Sequence, residues 1–392
     1  MNSSGSHLRA LEGGLKHIAA ASLRGVLGSQ APSAFQPQST RRILVIRQHN
    51  QLGDMLCVVP LLRALRSHCP HAQISLLTSP VNHDIMLNNR YLDDVINFDK
   101  QEFSSGGKIH IGRLVAYIRK LRNERFDLAV VPSTVSTSFT SDLFAYLSGA
   151  GIRIGAGSTD GRENPSGFFF NVPVDLNWTS EPHRHQTLRN LDILARYVKK
   201  PDDLTSEITL TTDERLEGKS FVTKYLNGKT SRIVFHPGAG KIPNRWPGDR
   251  FAAVANTLSA EFDSAVFITA GPMDDEPVAV MRSGLHVRAQ LIMKQPIRPV
   301  ASILKNMDLV VTNDTGIMHV AAAVGARVLS LFGPTDPGQW APLGEKNRYI
   351  HGSGGDIRSI SIEDVLRNAR EMLRVACEPK RDDGFRSSGS TL

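Results

Sequence analysis

Cysteine is scarce in this chain: Cys57, Cys69 and Cys377 are the only three in 392 residues, and no two of them form a CxxC pair. That spacing excludes a disulfide-built scaffold and a cysteine zinc site, and it suits a reducing compartment. Long apolar runs are missing as well. Nothing approaches the ~20 residues needed to cross a bilayer. The first forty residues hold no apolar core of a secretory leader, because Glu12, Lys16 and Arg24 interrupt them. These absences predict a cytoplasmic protein.

What is present is the composition of a soluble globular chain, 41% hydrophobic and 21% charged, with a length that suits two domains. The formal net charge is +8. Nucleic acid, an anionic membrane surface and a phosphorylated substrate all suit such a balance, and so does a merely basic solvated surface.

Residues 1–40 read as a weakly helical or flexible extension. Leu8, Leu11, Leu15, Ile18, Leu23 and Leu27 recur near helical spacing among Arg9, Lys16 and Arg24. Such a segment can lie on an anionic membrane or stay a free tail. From Arg41 strands and helices alternate. Ile43–Ile46 is an apolar run fit for a central parallel strand, and Ile74–Leu77, Val95–Phe98 and Leu128–Val131 follow with helical patterns between them. Residues 156–182, rich in Gly, Ser, Asn and Pro, read as a long surface loop, and a helix is expected from Gln186 to Lys199. A second series runs through Ile233–Phe235, Ala265–Thr269, Leu309–Val311 and Val328–Phe332. The pattern predicts an α/β protein with two doubly wound domains, at 41–200 and 231–376. A linker and connecting helix over 201–230 joins them, and a disordered tail occupies 377–392. The ligand cleft is then expected between the domains, facing the carboxyl ends of both sheets.

Three segments follow predicted strands. Gly53-Asp54 can place a carboxylate base in the cleft, or Asp54 can simply cap the next helix. His236-Pro237-Gly238-Ala239-Gly240-Lys241, followed by Asn244-Arg245-Trp246-Pro247, offers free backbone N–H groups and two cations to a diphosphate; ordinary turn chemistry is the alternative. Asn313-Asp314-Thr315-Gly316-Ile317-Met318-His319 opens a helix whose N-terminus can receive an anion, with His319 one turn on. Its bland reading is a capping Asp314 and a satisfied, half-buried His319. Arg63 and Arg66, one turn apart, can meet acidic groups of a substrate or form a solvated helix face. No His/Cys/Asp cluster has metal-ligand spacing.

From Arg41 to Val375 the chain resembles the ADP-heptose:lipopolysaccharide heptosyltransferases of glycosyltransferase family 9. The resemblance rests on Ile43–Arg47 with Gly53-Asp54 and Pro60–Leu65, His236–Gly240 with Arg245-Trp246-Pro247, Asn313–Ala323 and Leu331–Thr335. It implies the GT-B fold, two Rossmann-like domains facing a central cleft, and an inverting, metal-independent transfer without a cofactor. Its donor is a nucleotide-diphosphate sugar such as ADP-heptose, and its acceptor an anionic, lipid-linked glycan on the inner membrane face, not nucleic acid. By the same resemblance Asp54 is the base. Asp314, Thr315, Gly316 and His319 hold the donor phosphates and sugar, and Glu276 holds the ribose, with Asp274 and Asp275 beside it. The chain departs at Asn244, where the family usually has a lysine on the donor phosphate; Lys241 or Arg245 is then expected to serve. The alternatives are a non-catalytic nucleotide-sugar-binding protein and a nucleotide-sugar 2-epimerase of the same architecture.

Overall fold

A computed structural model describes residues 35–105, 108–132 and 135–377. The helix or tail expected over 7–27, and the tail beyond residue 377, lie outside the described residues. Phe35 is buried and meets Tyr197 edge to face at 5.3 Å. The first domain therefore includes residues ahead of the expected boundary at Arg41, because an aromatic ring completes its core.

Strands β1 (Arg42–Arg47), β2 (Gln73–Thr78), β3 (Asp94–Asn97), β4 (Leu128–Val130), β5 (Ile152–Thr159), β6 (Arg162–Glu163) and β7 (Val172–Leu176) form one sheet. Its order is β3-β2-β1-β4-β5-β6, with β7 also on β5, and only β5–β6 is antiparallel. Val45 stands level with Leu76 on one side and Val130 on the other. Ile43 to Ile46 are fully buried, as a run apolar on both faces requires. A second, wholly parallel sheet comprises β8 (Ser231–His236), β9 (Ser264–Ala270), β10 (Ala289–Met293), β11 (Leu309–Asn313), β12 (Val328–Phe332) and β13 (Asn347–His351), in the order β10-β9-β8-β11-β12-β13. In each sheet the chain first builds outward on one side of its first strand and then crosses to the other. That switch opens a crevice at the carboxyl ends of β1 and β4, and of β8 and β11.

The helices on these sheets are α1 (Leu52–Leu56), α2 (Val59–His68), α3 (Pro80–Met86), α4 (Ile111–Asn123), α5 (Phe139–Leu147), α6 (Gln186–Asp192), α7 (Thr212–Lys224), α8 (Gly248–Glu261), α9 (Asp275–Ser283), α10 (Ile297–Leu304), α11 (Gly316–Ala323) and α12 (Ile362–Cys377). Two expectations are corrected. Residues 156–182 are not one surface loop: β5 continues to Thr159, and β6 and β7 add to the sheet. Phe169 and Phe170 are core residues, Phe170 lying over Gly155, which has no side chain to exclude it. The helix from Gln186 ends at Asp192, well short of Lys199.

Arg298 of α10 ties several elements together. Its guanidinium donates to Glu214 of α7 at 2.6 Å and to the carbonyls of Asp84 and Thr209, both at 2.9 Å. The arginine bonds pull the Glu214 carboxyl down to about 2, so the pair stabilises the fold fully above the usual glutamate range and loses that contribution as pH falls towards 2. Arg298→Met is expected to lower the unfolding free energy by about 1–3 kcal/mol, the range for losing hydrogen bonds to a charged group that is only partly buried. Urea denaturation at neutral pH checks it; an unchanged midpoint would show that the node is dispensable.

Candidate active site

The two crevices meet where α1 packs against α11. Asp54 lies in the first turn of α1 and is buried. It does not cap that helix: the N-cap is Gln51, with no side-chain cap bond. Its carboxylate instead faces the Arg47 guanidinium, Oδ1 standing 3.3 Å from Nη2 as an ion pair without hydrogen-bond geometry. Arg47 ends β1, is buried, and donates from Nη1 to the Pro132 carbonyl just beyond β4. Burial raises the Asp54 carboxyl above the usual range, and the Arg47 charge pulls it part of the way back. A carboxylate made more basic by burial is better suited to proton abstraction.

Close approach of the two helices depends on a glycine. A Cβ on Gly53 would lie 2.6 Å from Cδ2 of His319, so only hydrogen fits against that ring. His319, in α11, is buried and meets Trp340 edge to face at 6.4 Å. Burial first, and the neighbouring His185 second, push its pKa down to about 3. His319 is therefore a neutral ring at physiological pH, with one N–H to donate.

The second crevice is built by Asn313. It is buried at the end of β11, donates to the carbonyls of Pro237 (2.9 Å) and Gly238 (3.1 Å), and accepts from the Trp246 N–H. One amide thus fixes the Gly-rich turn, the Arg-Trp-Pro segment and the start of α11 relative to one another. Gly238 lies against Asp274, whose carboxylate a Cβ there would strike at 2.0 Å. Asp274 itself is buried, accepts from the Gly271 N–H at 2.7 Å and faces His236 at 3.7 Å. Of the three acids at the start of α9 only Asp274 is buried; Asp275 is exposed, and Glu276, its side chain 76% exposed, stands 3.5 Å from Arg245.

Thr315 is the N-cap of α11, in extended conformation and without a side-chain cap bond, which leaves the first N–H groups of the helix unclaimed by its hydroxyl. Asp314 accepts from the Asn244 amide at 3.2 Å, and that amide also donates to Thr335 at 3.0 Å. Burial raises the Asp314 carboxyl, against the opposing pull of Thr335, Lys241 and Asn244. Arg245 is engaged by the Ala239 carbonyl at 2.9 Å and the Met273 carbonyl at 3.4 Å, besides Glu276. The Lys241 side chain is exposed and makes no hydrogen bond or ion pair among the described residues. The turn thus brings Asn244 into contact with Asp314 and Lys241 near enough for its charge to act there, while Gly238 is held by Asn313.

Arg63 and Arg66 are not brought to the cleft. α2 runs back along the sheet, so Arg66 ends at the amino end of β2, bonded to the Ala72 carbonyl (2.7 Å) and paired with Asp93. Arg63 bonds the Tyr91 hydroxyl at 2.9 Å and pairs with Asp203 at 3.1 Å. Both fasten α2 to its surroundings. Conversely, sequence reading missed Arg47, His185, Asn313 as a staple and Trp340. The one available signal was Arg47 itself, a cation closing an otherwise apolar strand.

Residues 114–368 match glycosyltransferase family 9 (heptosyltransferase). The chain belongs to that family. Lipooligosaccharide heptosyltransferase 2 of Haemophilus influenzae is 31% identical over 80% of this chain and 89% of its own length. Lipopolysaccharide heptosyltransferase 2 of Escherichia coli is 26% identical, over 79% and 87%. Among solved structures, the Escherichia coli ADP-heptose lps heptosyltransferase II superposes with a TM-score of 0.71 at 22% identity, over 85% of this chain and 99% of that one. A family 9 glycosyl transferase from Veillonella parvula gives 0.74 at 21% identity, over 87% and 99%. The two-sheet architecture of this family member is the GT-B fold the sequence led us to expect.

Proposed function

We propose that this protein transfers heptose from ADP-heptose to the core of a lipopolysaccharide, by a single inverting displacement that needs no metal. The observation that carries this reading is the packing of the Asp54 helix against the open N-terminus of α11. A proton acceptor and an anion receiver then flank one point. The named relatives, heptosyltransferases of lipopolysaccharide and lipooligosaccharide, support the choice of sugar and acceptor.

In the reaction, an acceptor hydroxyl oxygen bonds to the anomeric carbon as the bond from that carbon to the diphosphate oxygen breaks. The hydroxyl proton passes to the Asp54 carboxylate, and ADP leaves with the electron pair. Charge grows on the leaving diphosphate, where the α11 N–H groups, the Gly238–Gly240 backbone and Lys241 stabilise it. Lys241 suits this role better than Arg245, whose donors are already engaged. Asp314 accepts from sugar hydroxyls, His319 donates to the diphosphate, Asn244 positions Asp314, and Glu276 takes the ribose. The lipid-held acceptor places the reaction at the cytoplasmic face of a membrane. Among the described residues no helix is long and apolar enough to cross one.

The test is turnover of ADP-heptose by the purified protein with and without a heptose-deficient core oligosaccharide, in the presence of EDTA. Expected are ADP release that depends on acceptor, a product heavier by one heptose and an unchanged rate with the chelator. ADP-heptose that binds without ever turning over would leave a binding protein, and conversion without acceptor an epimerase. For the donor side, His319→Ala is expected to weaken ADP binding by about 1–3 kcal/mol, the range for a hydrogen bond to a charged group. Because this ring titrates only near 3, it contributes no pH dependence to ADP affinity between pH 5 and 8. Calorimetry across that range checks both statements.

A further inference from the structure

Helix α4 shows water an unusual face. Only Leu121 in it is buried, while Ile111 is 69% and Val115 39% exposed. Ile111, Val115 and half-buried Ile118 stand at i, i+4 and i+7, so they form one ridge along the helix. The ridge is not a loosely held end. On the inner side Tyr117 packs among Phe98, Phe103 and Phe144, and its hydroxyl donates to the Asn97 carbonyl at 3.0 Å.

The charge on α4 has one sign. Arg113, Arg119, Lys120 and Arg122 are all exposed, and no acidic residue occurs between Ile111 and Asn123. Arg113 reaches the Glu102 carbonyl at 3.3 Å. Among the described residues, none of the four forms an ion pair with a carboxylate. An exposed apolar ridge flanked by unneutralised cations is the make-up of a helix that lies in the headgroup region of an anionic bilayer.

Its position relates it to the active site. α4 returns from the carboxyl edge of the sheet, so the Ile111 end lies on the edge where β1 delivers Asp54. Lys100, in the connection from β3 to α4, lies near enough to His49 of the Asp54 loop to act on its charge. A bilayer under α4 would therefore hold a lipid-anchored acceptor at the rim of the cleft.

We infer that α4 is the surface by which this protein docks on an anionic bilayer, with Ile111 and Val115 entering the headgroup layer and Arg113, Arg119, Lys120 and Arg122 meeting its phosphates. The inference rests on the lipid-linked acceptor of the proposed function. The test is flotation of the full chain with phosphatidylcholine vesicles, with and without phosphatidylglycerol. Two double variants are compared, Ile111→Glu with Val115→Glu, and Arg119→Gln with Lys120→Gln; all four positions are exposed, so neither pair disturbs the core. Expected is recovery that requires phosphatidylglycerol, falls with salt, and drops by roughly ten-fold in each double variant. Transfer to a soluble core oligosaccharide stays unchanged, while transfer to the same acceptor embedded in vesicles slows. Double variants that float like the wild type would overturn the proposal. So would equal recovery of the wild type on both vesicle types, or loss of flotation only on changing Leu15 and Leu23 to Glu in the extension. Failure of the wild type to use the soluble acceptor is a separate result: it removes the proposed reaction and leaves the flotation outcome standing.

Discussion

Asp54→Asn is expected to lower kcat by about 10²–10⁴-fold, the usual contribution of a positioned general base. The amide keeps the shape of the carboxylate but cannot take the acceptor proton. Affinity for ADP should stay within a few-fold, since the anion-receiving turn belongs to the other sheet. Loss of activity with preserved ADP binding thus separates chemistry from folding, a needed control because the buried Arg47 then lacks its counter-ion. pH dependence tests the same pair. Burial has raised the Asp54 carboxyl, so activity falls on the acid side as that group protonates. Arg47 opposes the rise; Arg47→Gln should therefore move the acid limb of kcat/KM to higher pH. An Asp54→Asn enzyme that turns over at the wild-type rate would remove Asp54 from the mechanism.

Gly53→Ala should reduce kcat about 100-fold, as a shift near 1 Å between reacting groups does. The added methyl would fall 2.6 Å from Cδ2 and 2.8 Å from Nε2 of His319. That ring is buried beside Trp340, so α1 and α11 must separate instead. Separation moves Asp54 from the donor turn and disturbs His319 together, so ADP affinity should fall as well. Alanine is otherwise the better helix residue, by up to about 1 kcal/mol, so propensity cannot explain a loss. Gly112→Ala supplies the contrast: it lies in α4 with nothing within 4 Å of an added Cβ, and is expected to leave kinetics untouched. Equal kcat for Gly53→Ala and wild type would show that the helices have slack.

The strands, the two-sheet plan and the three loops that approach the cleft were legible because they rest on local signals. Ile43–Ile46 is apolar on both faces, Gly238 marks a turn, and Asn313–Gly316 joins a strand to a helix, whereas Gly53, which reads as a turn residue, lies in α1. Where local signals conflict, the reading failed. Residues 156–182 look like a loop because Gly, Ser and Asn disfavour strands in isolation, yet β5 supplies an edge on which β7 can pair. Arg63 and Arg66 look available because helical spacing shows which residues share a face, not what that face meets.

The sequence by itself determined which groups lie at the ends of which strands, since chain order and hydrophobic period set that. Only the tertiary structure decided what each group can do. Asp54 is a buried carboxylate beside Arg47 because β1 and α1 turn both inward, residues seven apart in a chain that nowhere marks them as partners. His319 is neutral because folding buries its ring, against Gly53 among others, and sets His185 beside it. The Lys241 side chain is open while Arg245 is engaged because the folded turn aims the Ala239 and Met273 carbonyls at one and not the other. Protonation and availability depend on burial and on partners brought by folding, and neither is a property of residue spacing.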